Sequence, residues 1–251
     1  MNKLYCSLLL CLTCFTVGAQ DIKTTEDLLR ANLAATGGID NWRKISSIEI
    51  KEVVTGSPGG FRQTFHRIKK FPGYTYSKSI ADNPNMYTEM LVTGTPEKLV
   101  QAISRNGKTE YKDMARFESY LSASPELSML EDKLYKLGEL QTEKLEDGTE
   151  CWAFDVTYGT SGLVRRYYDK KTMLLAALTA LSSSNNPNVP IKTIIKTVKE
   201  HRNENGLLFP SRIAFKSGSD QSFTAFVQVT ESITLNPEVE DKIFNTEYVA
   251  N

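Results

Sequence analysis

The stretch 222-SFTAFVQVTESITL-235 decides the fold. Phe223, Ala225, Val227, Val229, Ile233 and Leu235 fall on one side of an extended chain. Thr224, Gln228, Thr230, Ser232 and Thr234 fall on the other, with Phe226 the exception. A period of two over so many residues is that of a long strand with one face covered by apolar material.

Working outward, the same texture recurs almost back to Ser47. Short runs rich in β-branched and aromatic residues cover Ser47 to Thr55, Arg62 to Phe71, Tyr74 to Ile80, Met86 to Thr93 and Glu97 to Arg105. After an interruption they resume as Leu137 to Leu145, Cys151 to Thr157, Val164 to Tyr168, Met173 to Ala180, Ile191 to His201 and Leu207 to Lys216. Pro72-Gly73, Asp147-Gly148 and Asn205-Gly206 sit between runs as hairpin turns. No helix of crossover length separates the strands, which predicts an antiparallel meander and excludes a parallel α/β sheet.

Two segments read as helix, with a short helical turn after the first. Thr24 or Thr25 can cap a first helix, with Glu26 and Asp27 in its first turn, an apolar stripe of Leu28, Leu29, Leu33 and Ala34, and Gly37-Gly38 as the stop. A short helical turn around Asp40 to Ile45 carries Trp42. The interruption, Met114 to Tyr135, repeats apolar residues at mostly helical offsets around Pro125. The expected fold is α+β: a large curved antiparallel sheet of about eleven strands, forming an unclosed β-barrel, with helices covering the concave face. Helices so few fill such a face only partly, which is the opening for a ligand cavity.

Roughly the first twenty residues read as a secretory signal: Lys3, the apolar run Leu4 to Val17, and small residues before Gln20. The expected division is 1–19 signal peptide and 20–251 one domain, with a periplasmic location. Cys6, Cys11 and Cys14 lie in the signal, leaving Cys151 as a lone thiol with no partner for an internal disulfide. Leu10 before Cys11 and Thr13 before Cys14 do not suit acylation of a processed cysteine, so a lipid anchor is not expected. Lysine plus arginine equal aspartate plus glutamate at 30 each, and no basic run exceeds a pair, so nucleic-acid binding is not expected.

The order and spacing of several short pieces resemble the LolA/LolB-like superfamily of bacterial lipoprotein carriers, and more closely the outer-membrane lipoprotein-sorting-like proteins of Bacteroidetes. The pieces are Leu28 to Gly38 followed by Trp42-Arg43-Lys44-Ile45, Tyr135 to Gly138, Gly148 to Trp152, Tyr167-Tyr168-Asp169 with Met173-Leu174-Leu175, Gly206 to Pro210, and Asn236-Pro237 with Ile243-Phe244. The resemblance implies an unclosed barrel plugged by helices whose apolar cavity receives acyl chains.

Catalytic patterns are sparse. There are two histidines, His66 and His201, each in a strand-like run without a paired ligand. Gly159-Thr160-Ser161-Gly162 has the wrong spacing for a nucleophile elbow, and Cys151 beside Trp152 reads as packing. No enzyme activity, metal or cofactor is expected. The cavity candidates are Tyr74, Tyr76, Trp152, Phe154, Arg166, Phe209, Phe223 and Val227. Alternation allows only one of Arg165 and Arg166 to meet an anionic headgroup at the cavity. The expected partner is a lipid or acylated lipoprotein, with a membrane-bound donor or acceptor. The alternative is a non-catalytic envelope interaction module on the same fold.

Overall fold

The computed structural model describes residues 21–245 apart from 58–59, 84–85, 96–97, 106–107, 115–120, 160–161, 183–191 and 220–221. The signal expected at 1–19 lies outside the described residues.

Helix α1 (Thr25–Ala35) starts at a capping box: Thr24 accepts from the Asp27 amide, and the Asp27 carboxylate accepts back from the Thr24 amide. Gly37 ends it at φ 120°. Its absent Cβ lets the chain press on the turn at Gly206, whose carbonyl would lie 2.4 Å from a side chain there. Helix α2 (Ile39–Arg43) buries Trp42. Helix α3 (Pro125–Glu131) is capped by Ser124 and begins on proline, the position where a missing N–H costs nothing.

The rest is one antiparallel sheet. Its strands are β1 (Ser47–Ser57), β2 (Arg62–Lys70), β3 (Tyr74–Asn83), β4 (Met86–Gly94), β5 (Leu99–Arg105), β6 (Lys108–Asp113), β7 (Tyr135–Leu137), β8 (Gln141–Lys144), β9 (Glu150–Tyr158), β10 (Val164–Asp169), β11 (Leu175–Ser182), β12 (Lys192–Glu204), β13 (Leu207–Ser219) and β14 (Ser222–Leu235). A 3-10 turn follows at Asp241–Phe244. The order is β6-β5-β4-β3-β2-β1-β14-β13-β12-β11-β10-β9-β7, with β8 also on β9. Two meanders are thus joined where the first strand pairs the last, and the sheet stays unclosed, with β6 at one edge and β7 and β8 at the other.

This is the expected α+β open barrel, with 14 strands among the described residues instead of about eleven. Two differences have physical causes. The run expected as Leu137 to Leu145 is split into β7 and β8, with Gly138 between them, its amide donating to the Asp155 carbonyl at 2.7 Å and its missing Cβ allowing a close approach to the Asp155 backbone. The missed strand β6 is an exposed edge, Lys-Thr-Glu-Tyr-Lys-Asp, whose charges blunt it against further pairing and erase the apolar period.

The deciding strand carries a correction. The register between β1 and β14 shifts between Lys51 and Glu52: Glu52 pairs Thr230 while Lys51 pairs Ser232, so Glu231 is an extra residue. A bulge of one residue inverts the faces beyond it. Phe226, the apparent exception, therefore shares a face with Ile233 and Leu235, whereas Phe223, Ala225, Val227 and Val229 lie on the opposite one. Ile233 packs with Leu33, Trp42, Ile45, Ile48, Leu127, Leu207 and Phe209. A second core joins Leu28, Leu29, Ala31 and Met129 to Phe154, Val156 and Tyr168. The three α-helices thus lie on one side, here the helix face; the other side is the far face.

Candidate functional site

Arg166 and Tyr168 stand on the helix face of β10, beneath α3. Arg166 Nη2 donates to Glu126 Oε1 at 2.5 Å and its Nε to the Tyr168 hydroxyl at 2.8 Å; that hydroxyl donates to the same Glu126 oxygen at 2.9 Å. Ser124 Oγ donates to the other oxygen at 3.2 Å. Burial alone would lower the Arg166 pKa, but Tyr168 and Glu126 outweigh it and hold the guanidinium charged. Burial, with Glu126 beside it, pushes the Tyr168 phenol up, so it stays a donor.

A hollow of about 90 Å³ lies beside this cluster, touched by Asn32, Trp42, Arg166, His201 and Phe209. That is room for about three waters at about 30 Å³ each. The space around it is filled by side chains: Phe154 stacks on Tyr168 at 5.8 Å, and Trp42 meets Phe209 edge-on at 5.0 Å. Of the candidates named from sequence, Phe154, Arg166 and Phe209 are therefore part of this packed helix face. Trp152 shares it, half-buried under the Lys170 ammonium at 4.1 Å.

The far face is built differently. Ala177 pairs Thr197, Thr197 pairs Ala214, Ala214 pairs Val227, and Val227 pairs Thr55. One step along the strands, Thr179, Ile195, Lys216 and Ala225 form a second row. Directly opposed residues point to the same side, so these rows put mostly small side chains, with Ile195 and Lys216 among them, across the middle of the sheet. The volume they leave is a hollow of about 710 Å³, within the range of about 300–1,000 Å³ common for small-molecule sites. Tyr167 closes its β10 end, and the β8–β9 hairpin, through residues Glu143 to Asp147, forms a further wall. From β10 to β1 the hollow crosses five strand spacings of about 4.8 Å, about 24 Å in all.

Charge around this hollow is uneven. Arg165, facing opposite to Arg166, ties the hairpin down: it donates to Asp155 at 2.8 Å, to Gln141 at 2.5 Å, and to Glu143. Hydrogen bonds from Thr149, with Lys199 close by, hold the Asp147 carboxyl below the usual range. Lys144, Lys199 and Lys216 also line the hollow.

Among the sequence candidates, Val227 lines this space. Phe223 lies on the same face near the start of β14, opposite Gly218 and 43% exposed. Tyr74 and Tyr76 are also on the far face, on β3 beyond β1 and β2: Tyr74 packs on Phe244 at 5.5 Å and Tyr76 meets His66 edge-on at 5.9 Å. The structure thus divides the eight candidates between two faces. The rows of alanine and threonine were missed because such residues mark nothing in one strand; their meaning appears only when register aligns four or five strands.

The groups with potential for chemistry are scattered. His66 Nε2 is 2.7 Å from Glu49 Oε1. His201 sits by the small hollow, its pKa lowered by burial. Cys151 is buried, and burial, with Asp169 and Asp147 nearby, pushes its thiol up to about 11. Among the described residues no cluster of three or more His, Cys, Asp or Glu side chains could hold a metal ion, and no helix is long and apolar enough to cross a membrane.

The sequence matches no protein-family model and no curated protein. Solved structures do match its fold. A LolA superfamily protein from Nitrosomonas europaea superposes with TM-score 0.58 at 11% identity, over 90% of this chain and 100% of that one. A DUF1329 family protein from Desulfovibrio piger gives 0.57 at 13%, over 91% and 100%. A domain assigned to outer-membrane lipoprotein sorting, from Vibrio parahaemolyticus, gives 0.55 at 14%, over 90% and 98%. The chain therefore has a LolA-like fold.

Proposed function

We propose that this protein is a non-catalytic carrier of the bacterial envelope that shelters the apolar chain of a lipid or acylated lipoprotein in the far-face hollow. The observation that carries the reading is the hollow itself: about 710 Å³, floored by Ala177, Ile195, Ala214, Ala225 and Val227, on a fold shared with a lipoprotein-sorting domain. Each buried methylene contributes about 0.8 kcal/mol. A dozen contribute about 10 kcal/mol, enough to offset the lower part of the association cost of about 4–15 kcal/mol, so binding is reversible. A carrier needs that reversibility.

Residues 1–19 act in this reading as the export signal, residues 20–251 form the working domain, and the site of action is the periplasm. The buried Cys151 thiol and the separated histidines suit a binding role better than a catalytic one, and no cofactor is required.

Native mass spectrometry with organic extraction, on protein purified from its own envelope without detergent, tests the reading. A co-purifying lipid or acylated peptide near one per chain is the expected result. A bare chain that stays bare after lipids are added would shift the role to the second reading, an interaction module. The tight packing of Phe154, Tyr168, Trp42 and Phe209 on the helix face favours that reading, because it fills the space beneath the helices with the protein's own side chains.

A further inference from the structure

We propose that the occupant of the far-face hollow is a linear apolar chain ending in a single anionic group, laid across the strands with its anion at Lys216. This rests on the carrier reading and adds the ligand's charge and direction.

The hairpin wall and the β13 part of the floor differ in what they offer a headgroup. At the hairpin end stand Glu143, Glu146 and Asp147. Three cations stand with them: Arg165 holds Glu143, Lys199 lies close to Asp147, and Lys144 belongs to the same wall. An anion entering at that end competes with three carboxylates for these cations. Lys216 lies in the second row, between Ile195 and Ala225, and among the described residues it makes no ion pair. Its methylene stem can lie along the apolar floor while its ammonium reaches the rim. A cationic head beside it would be repelled, and a neutral head would gain nothing from it. An anion there gains a charge-assisted hydrogen bond, at its weaker end a factor of about ten in affinity. A carboxylate and a phosphate share this chemistry.

The experiment is calorimetric titration of the purified protein with palmitate, with lysophosphatidate and with hexadecanol, which keeps the chain and removes the charge. At low salt the favoured acid should bind about tenfold tighter than the alcohol, and which acid shows the margin names the headgroup. Lys216→Met should bring the acid down to the alcohol's affinity and leave the alcohol unchanged. Ala214→Phe, which fills the first row, should abolish binding of all three with the melting temperature retained. Equal affinities for acid and alcohol, or a Lys216→Met loss shared by the alcohol, would overturn the anion assignment while leaving the carrier reading standing. Failure of all three to bind would remove the carrier reading itself.

Discussion

At the scale of single residues, Glu126 holds the helix cover to the sheet. Its buried carboxylate takes Arg166, Tyr168 and Ser124 together. Glu126→Ala strands the guanidinium of Arg166 without its counter-charge, and the expected loss is about 3–5 kcal/mol in urea denaturation. Glu126→Leu combined with Arg166→Met removes both charges and should cost less than either single change; a larger loss would mean that the ion pair is net stabilising. His201 gives a pH signature. Its folded pKa lies below its ordinary value, so as pH falls the unfolded chain binds the proton first. The contribution is whole above about pH 6.5 and is lost on acidification below it. His201→Asn should flatten the stability profile between about pH 7 and 5, measured by thermal melting. Of these residues, alternation correctly separated Arg165 from Arg166, because two neighbours on a strand cannot share a face. The Glu126 contact was not legible, since nothing in sequence brings residues forty apart to one point.

At the scale of elements, local chemistry was readable wherever it was decided locally. The Thr24 capping box and the Gly37 stop follow from a few adjacent side chains. Thr24→Ala should cost about 1 kcal/mol by loss of the cap, seen as a fall in the urea midpoint. Asn205 and Gly206 both take positive φ, as a two-residue hairpin turn demands. What defeated the reading was the bulge at Glu231, because a single extra residue leaves composition untouched and reverses the side to which Ile233 and Leu235 point. Deleting Glu231 would remove the extra residue and leave Thr230, Ser232 and Ile233 in regular alternation, with Ile233 and Leu235 still toward the helices. The expected result is a variant that melts cooperatively; loss of cooperative melting would show that Ile233 and Leu235 had been turned from the helix face.

At the scale of the whole molecule, the sheet separates two tasks. Large side chains on one face anchor the helices, while small ones on the other leave a trough across six strands, β10 to β1. The class of fold was legible from many strands at hairpin spacing, but the trough was not, because it is a property of register among strands up to about 170 residues apart, as Thr55 and Val227 are. The measurement that tests this account most directly is photocrosslinking with a diazirine-bearing palmitate, followed by peptide mapping. The account predicts labelling at Ile195, Ala214 and Val227 and none at Phe154 or Tyr168. Labelling confined to the helix face would contradict it.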